Sequence, residues 1–238
     1  MRYFIGTSGW HYQHWRGRVY PTEMPSTRWL EHYVTLFDSV EINNSFYRLP
    51  SATTLACWRD DTPRDFVFSL KASRFITHNK KLKGLESFAL FFDRIEAIRS
   101  KLGVILFQLP PRWRVNAERL DEFLSGLPRG LRCAFEFRHP SWHSETIYDI
   151  LKKHKAAFCV YDIEGFTAPF IVTADFTYVR LHGPQLKYAG NYSRGMLEAW
   201  RDKIETVKKL KRAYIYFDND VAAAAVEDAL LLKQLLEK

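Results

Sequence analysis

The chain predicts a single (β/α)8 barrel of the TIM type with an irregular sixth crossover, and three observations carry that expectation. Eight short apolar runs begin near Tyr3, Ser39, Phe66, Gly103, Arg132, Ala157, Thr177 and Ala213. They recur about every 30 residues, the length of a strand, a loop and a crossover helix. The segments between them mostly carry helical periodicity, and no linker or low-complexity stretch interrupts them. Residues 1–238 are therefore read as one domain, whose 47% apolar content suffices for a buried core. A doubly wound open sheet is the alternative, but Gly6-Thr-Ser-Gly9 after the first run is neither GxGxxG nor a P-loop.

In chain order, Leu30–Phe37 and Thr53–Asp60 are short helix candidates after the first two strands. Leu85–Ser100 sets Leu85, Phe88, Phe91, Phe92, Ile95 and Ile98 on one broad stripe. Ala117–Leu127 follows Asn116, a suitable N-cap, and stops before Pro128. His143–His154 follows Ser141-Trp142, Arg194–Leu210 follows Ser193, and Val221–Lys238 follows Asn219-Asp220. The sixth interval differs, because only Ile163–Phe176 separates two strands and Pro169 sits within it.

Charge and cysteine content narrow the setting. Lys and Arg exceed Asp and Glu by 35 to 27, a net +8 that invites an anionic partner. Three cysteines, Cys57, Cys133 and Cys159, form no CxxC pair, which argues against a disulfide framework and for a reducing cytoplasm. The chain opens Met1-Arg2-Tyr3 without a secretory leader pattern. Phe88–Phe92 and Gly103–Leu109 are much shorter than the roughly 18–20 residues of a membrane span, so no membrane partner is expected.

Strand phase then assigns faces, since side chains alternate along a strand. Phe66, Phe68 and Leu70 turn toward the helices and leave Val67, Ser69 and Lys71 inside. Phe135 and Phe137 turn outward and leave Glu136 and Arg138 inside, while Tyr178, Arg180 and His182 oppose Val179 and Leu181. The same alternation places Glu41, Asn43, Gln108, Asp162 and Asp218 inside. The result is a polar ring toward the strand C-termini, the active-site face of this barrel class. Glu41, Glu136, Asp162 and Asp218 stand against Lys71, Arg138 and Arg180, with His182 able to take either state. A mutually neutralising salt-bridge plug is the structural alternative.

These strand ends also carry a family resemblance. Ile5-Gly-Thr-Ser-Gly-Trp10, Val40-Glu-Ile-Asn-Asn-Ser-Phe-Tyr-Arg-Leu-Pro50 and Phe66-Val-Phe-Ser-Leu-Lys71 with Thr77-His78 open the series. Leu106-Phe-Gln-Leu-Pro-Pro111, Phe135-Glu-Phe-Arg-His-Pro-Ser-Trp142, Tyr178-Val-Arg-Leu-His-Gly183 and Tyr216-Phe-Asp-Asn219 complete it. The sequence resembles the DUF72 (YecE-like) family, which implies a TIM barrel of unknown function. Where that family often pairs two asparagines after the last strand, this chain has Asp218-Asn219 and so one more carboxylate. Likeness of such barrels to endonuclease IV implies a nucleic-acid role by fold analogy alone.

The ring residues favour an anion-binding enzyme. Lys71, Arg138, Arg180 and His182 suit a phosphate or carboxylate. Glu41, Glu136, Asp162, His182 and Asp218 are the candidate acid–base groups. Trp10, Asn43, Tyr47, Gln108, Trp142 and Asn219 complete the expected binding surface, with aromatics suited to a sugar or base. Trp15, Tyr188 and Tyr192 follow strands on the same face. The substrate expected is a phosphate-bearing sugar- or nucleotide-like molecule undergoing hydrolase-type chemistry. An imine-forming role for Lys71 runs against its carboxylate neighbours, which favour the charged amine.

Two other functions remain open at this point. One is a metal-dependent phosphodiesterase of endonuclease IV type acting on DNA. No cofactor is predicted, but a single divalent ion could be held by the carboxylates with His182. A multi-zinc cluster is disfavoured, because His182 alone among the eight histidines takes an inward strand position and three cations share its level. The other is non-catalytic nucleic-acid binding. Only Lys80–Lys83 and Arg112 with Arg114 flank the ring, whereas Lys152-Lys153-Lys155 and Lys208–Arg212 lie at helix ends.

Overall fold

The computed structural model describes residues 1–236. Its strands are β1 (Arg2–Thr7), β2 (Ser39–Ile42), β3 (Val67–Lys71), β4 (Leu102–Gln108), β5 (Cys133–Glu136), β6 (Ala157–Ile163), β7 (Phe166–Thr167), β8 (Phe176–Leu181) and β9 (Arg212–Phe217). Eight of them pair in parallel in the order β1-β9-β8-β6-β5-β4-β3-β2, and β7 folds back antiparallel on β6. The helices are α1 (Trp29–Tyr33), α2 (Ala52–Asp60), α3 (Ala89–Ile95), α4 (Ala117–Gly126), α5 (Glu145–Lys153), α6 (Arg194–Glu205) and α7 (Ala224–Leu236). This is the expected TIM-like barrel, nearly closed. No helix among the described residues is long and apolar enough to cross a membrane.

The barrel closes at the β1/β2 seam through a side chain instead of a strand ladder. Tyr33 Oη accepts the backbone N–H of Thr7 at 3.0 Å and donates to the Ser39 carbonyl at 3.1 Å. Gly6 permits this approach, because a Cβ there would lie 2.1 Å from the Ser39 carbonyl oxygen.

Capping follows the local sequence. Ser51, Asn116 and Ser193 accept the third backbone N–H of their helices, at 3.0, 2.8 and 3.3 Å. The stripe over Leu85–Ser100 forms α3 flanked by two 3₁₀ segments, because Gly84 opens it in a left-handed conformation without a side-chain cap. Its last 3₁₀ turn runs directly into β4, so the tightening spans the distance a loop would otherwise cover. The final helix is seen to Leu236; the expected last two residues lie outside the described ones. The sixth crossover holds no helix, only β7 and an extended return. Thr173 anchors that return, accepting from Phe158 N at 2.8 Å and donating to the Ala156 carbonyl at 2.6 Å.

Two apolar regions result. The larger lies between strands and helices and contains Phe66, Phe68, Leu70, Phe135, Phe137, Val179 and Leu181. The smaller fills the barrel axis with Phe4, Val104, Leu106, Ala134, Cys159, Tyr178, Tyr214 and Tyr216 among others. Tyr216 Oη meets Ser39 Oγ at 2.6 Å and Ser69 Oγ at 2.9 Å. From that level upward the axis becomes polar.

Candidate functional site

Arg180 organises the polar ring. Its guanidinium Nη2 donates to Glu41 Oε1 at 2.8 Å and Asp218 Oδ2 at 3.0 Å, and Nη1 donates to Glu136 Oε2 at 3.0 Å. Nε completes the fork on Glu41 at 3.0 Å. Glu41 also accepts from Ser8 Oγ at 2.6 Å and Tyr178 Oη at 2.7 Å. Glu136 takes its second arginine from Arg138, and the Cys159 thiol points at it from 3.8 Å. Arg180, Glu41 and Glu136 have no exposed side-chain surface. A planar guanidinium can satisfy several carboxylates at once, so this lower tier is sealed and mutually paired.

Electrostatics agree with that arrangement. Burial alone would raise the Glu136 pKa, but Arg138 and then Arg180 hold it well below the carboxylate range. Asp218 is likewise lowered, with Arg180 and His182 outweighing its burial. Arg180 stays charged because its three carboxylates outweigh its desolvation.

His182 lies at the top of this tier. Its Nε2 faces two donors, Arg138 Nη2 at 3.0 Å and Arg180 Nη1 at 3.2 Å, so Nε2 must be the acceptor. That assigns the ring proton to Nδ1, which stands 2.8 Å from Asp218 Oδ2 but off the line of a good hydrogen bond. Burial and then Arg180 lower the His182 pKa, in keeping with the neutral tautomer.

A second tier opens toward solvent. Arg138 lies over the Tyr161 ring at 4.3 Å and keeps 15% of its side chain exposed. Lys71, Gln108 and Asn43 are half-buried. Asn43 Nδ2 donates to Asp218 Oδ1 at 3.3 Å. Lys71 Nζ sits 4.6 Å from the Phe46 ring centre and has no ion pair among the described residues. Burial, then Arg180, lowers the Lys71 pKa despite three nearby carboxylates. The sequence expectation is opposite, because it weighs the carboxylates without the burial of the amine and the repulsion from Arg180.

Several expected site residues lie elsewhere. Asp162 is out of phase, since Ala157 and Cys159 occupy the barrel interior. Its carboxylate accepts from Thr167 Oγ1 at 3.1 Å, and burial raises its pKa. Trp142 is fully buried in the helix layer, stacked on Phe137 at 4.9 Å, with Nε1 donating to the Trp113 carbonyl at 2.7 Å. Asn219 alternates away from Asp218, and its Nδ2 donates to Asp228 Oδ2 and the Gly190 carbonyl, both at 2.7 Å. Tyr47 is 83% exposed at the rim. Trp10 lies beside the ring, edge-on to Trp58 at 4.9 Å. Trp15 and Tyr192 are buried, while Tyr188 meets His182 edge-on with ring centres 5.7 Å apart.

Sequence reasoning missed Ser8 as a Glu41 partner. Phe4 is interior, so continuing the β1 alternation through Gly6 would have found Ser8. Tyr178 was placed inside, but its role in holding Glu41 was not expected. Among the described residues, no three His, Cys, Asp or Glu side chains gather in a metal-holding cluster.

Comparison with known proteins agrees with the fold. The UPF0759 protein YunF of Bacillus subtilis is 26% identical, spanning 98% of this chain and 94% of its own length. The UPF0759 protein YecE of Escherichia coli K12 is 30% identical over 49% of this chain and 43% of its own. The crystal structure of a DUF72 family protein from Thermotoga maritima covers 100% of both chains with a TM-score of 0.90 at 29% identity. The sequence model described as "Protein of unknown function DUF72" matches residues 4–238, and this chain belongs to that family.

Proposed function

We propose that the open tier binds an anionic, phosphate-bearing sugar- or nucleotide-like small molecule and acts on it by hydrolase-type acid–base chemistry. The supporting observation is the sorting of charge by depth. Glu41 and Glu136 are fully covered, and Asp218 keeps 9% of its side chain exposed, whereas Lys71 and Arg138 border solvent. An arriving ligand thus meets cations first, with Asn43 and Gln108 beside them to engage hydroxyl or ester oxygens.

The roles follow from access. Lys71 and Arg138 hold the anion, and Lys71, whose pKa is lowered, gives up a proton more readily than an ordinary lysine. Asp218, the least covered ring carboxylate, faces the ligand, and neutral His182, itself covered, backs it in the adjoining proton-handling pair. Glu41 and Glu136 orient the arginines from below and do not contact the ligand. A DNA phosphodiesterase or nucleic-acid binder draws weaker support. Arg180 already engages all three ring carboxylates, while the rim does expose Lys80, Lys81, Lys83, Arg112 and Arg114.

Calorimetric titration with ribose 5-phosphate, across pH and salt and with chelator, tests the reading. Binding is expected to survive moderate salt and chelator, and to weaken as pH rises through the depressed Lys71 pKa because the bound cation is then lost. Absence of binding, or binding restored only by a divalent metal, contradicts it. Oligonucleotide binding with a steep salt slope would select the nucleic-acid alternative.

A further inference from the structure

A cavity of about 580 Å³ lies beside the ring, between the ends of β1 and β2 and helices α1 and α2. Its origin is visible in the fold. The first crossover ends in a five-residue helix, α1, so this quadrant lacks a full-length helix over an unladdered seam. Trp10, Trp58, Leu30 and Ile42 give the cavity apolar walls, while Asn44 and Asp61 add hydrogen-bonding groups. Its inner wall includes Ser8 and Asn43, which bind Glu41 and Asp218 of the ring. The cavity and the polar ring therefore share an edge.

We propose that this cavity is the subsite for a nucleobase, so that the ligand is a nucleoside monophosphate whose phosphate rests on the open tier. This rests on the anion-binding reading above. The volume falls in the range of small-molecule pockets, and indole walls with a few polar groups suit a flat heteroaromatic ring. The phosphate alone has no use for those apolar walls, and a base alone has no use for Lys71. A molecule carrying both groups uses both regions through the shared Asn43 edge.

Cys57 provides the readout. It lines the cavity and is exposed, whereas Cys133 and Cys159 are buried, so iodoacetamide should modify Cys57 first. Alkylation is followed by mass spectrometry with adenosine 5′-monophosphate, adenosine or ribose 5-phosphate present, alongside calorimetry. Adenosine 5′-monophosphate is expected to slow Cys57 modification at least fivefold, and ribose 5-phosphate to bind without protecting. Thr27→Trp, which fills the cavity from its exposed wall, is expected to abolish protection while leaving ribose 5-phosphate binding intact. Equal protection by both phosphates, or nucleotide binding without protection, overturns the nucleobase subsite but leaves the anion site standing. If no phosphate compound binds, the anion reading fails. Adenosine at millimolar concentration then decides the cavity separately: protection retains a base site, and none removes it.

Discussion

Arg180 and Lys71 are both cations on barrel strands, yet they occupy opposite regimes. Arg180 is sealed and forked across three carboxylates, whereas Lys71 borders solvent with the Phe46 ring against its ammonium and no ion pair among the described residues. Each residue type suits its tier. A planar guanidinium can pair several buried anions in fixed directions, while a flexible amine can accept a ligand or release a proton. In the proposed reading, the salt-bridge plug and the binding site are stacked layers of one ring. Burial of a charge marks the first layer, and an unpaired cation at the solvent boundary marks the second.

The sharpest way to break that division is Arg180→Met. It leaves Glu41, Glu136 and Asp218 without their shared cation, and a loss of about 3–5 kcal/mol is expected in urea denaturation at neutral pH. A loss below about 1 kcal/mol would mean the lower tier is not structural.

Glu136→Gln comes next, with an expected loss of about 1.5–3 kcal/mol from under-compensated Arg138 and Arg180. The pH profile sharpens this prediction. The folded-state pKa of Glu136 is depressed, so its contribution is complete above the unfolded carboxyl pKa near 4.3. It is lost as pH falls from there toward the folded value, because the unfolded chain takes up the proton first. Glu136→Gln should flatten that part of the acid limb; an unchanged limb assigns the pairing energy elsewhere.

The smallest effect is expected at Asp162→Asn. The folded pKa of Asp162 is raised, so its ionised form opposes folding at neutral pH. Neutralisation should leave stability equal or slightly higher, with ribose 5-phosphate affinity unchanged. A tenfold affinity loss would return Asp162 to the site.

Much of this was legible from alternation. The patterns around Phe66–Lys71, Ala134–Arg138 and Tyr178–His182 put large apolar residues on one face, so the inward set could be read directly. Ala157–Ile163 offered no such contrast: Ala, Phe, Cys, Val and Tyr suit either face, and Asp162 was placed one residue out of phase. Trp142 and Asn219 follow strands and so resembled mouth residues, but their side chains turn outward into the helix layer and the α7 junction. The two tiers were not legible, because depth depends on side-chain reach and pairing. Strand position supplies neither. The helical stripe at Leu85–Ser100 was real, but periodicity does not report the tightening required to enter β4 without a loop.

The division between tiers is tested most directly by measuring ribose 5-phosphate affinity and urea stability on the same preparation of Lys71→Met. The expected result is at least about a tenfold loss of affinity, roughly 1.4 kcal/mol, with stability within about 0.5 kcal/mol of the parent protein. Undiminished affinity, or a stability loss on the scale expected for Arg180→Met, would contradict a binding tier resting on a structural one.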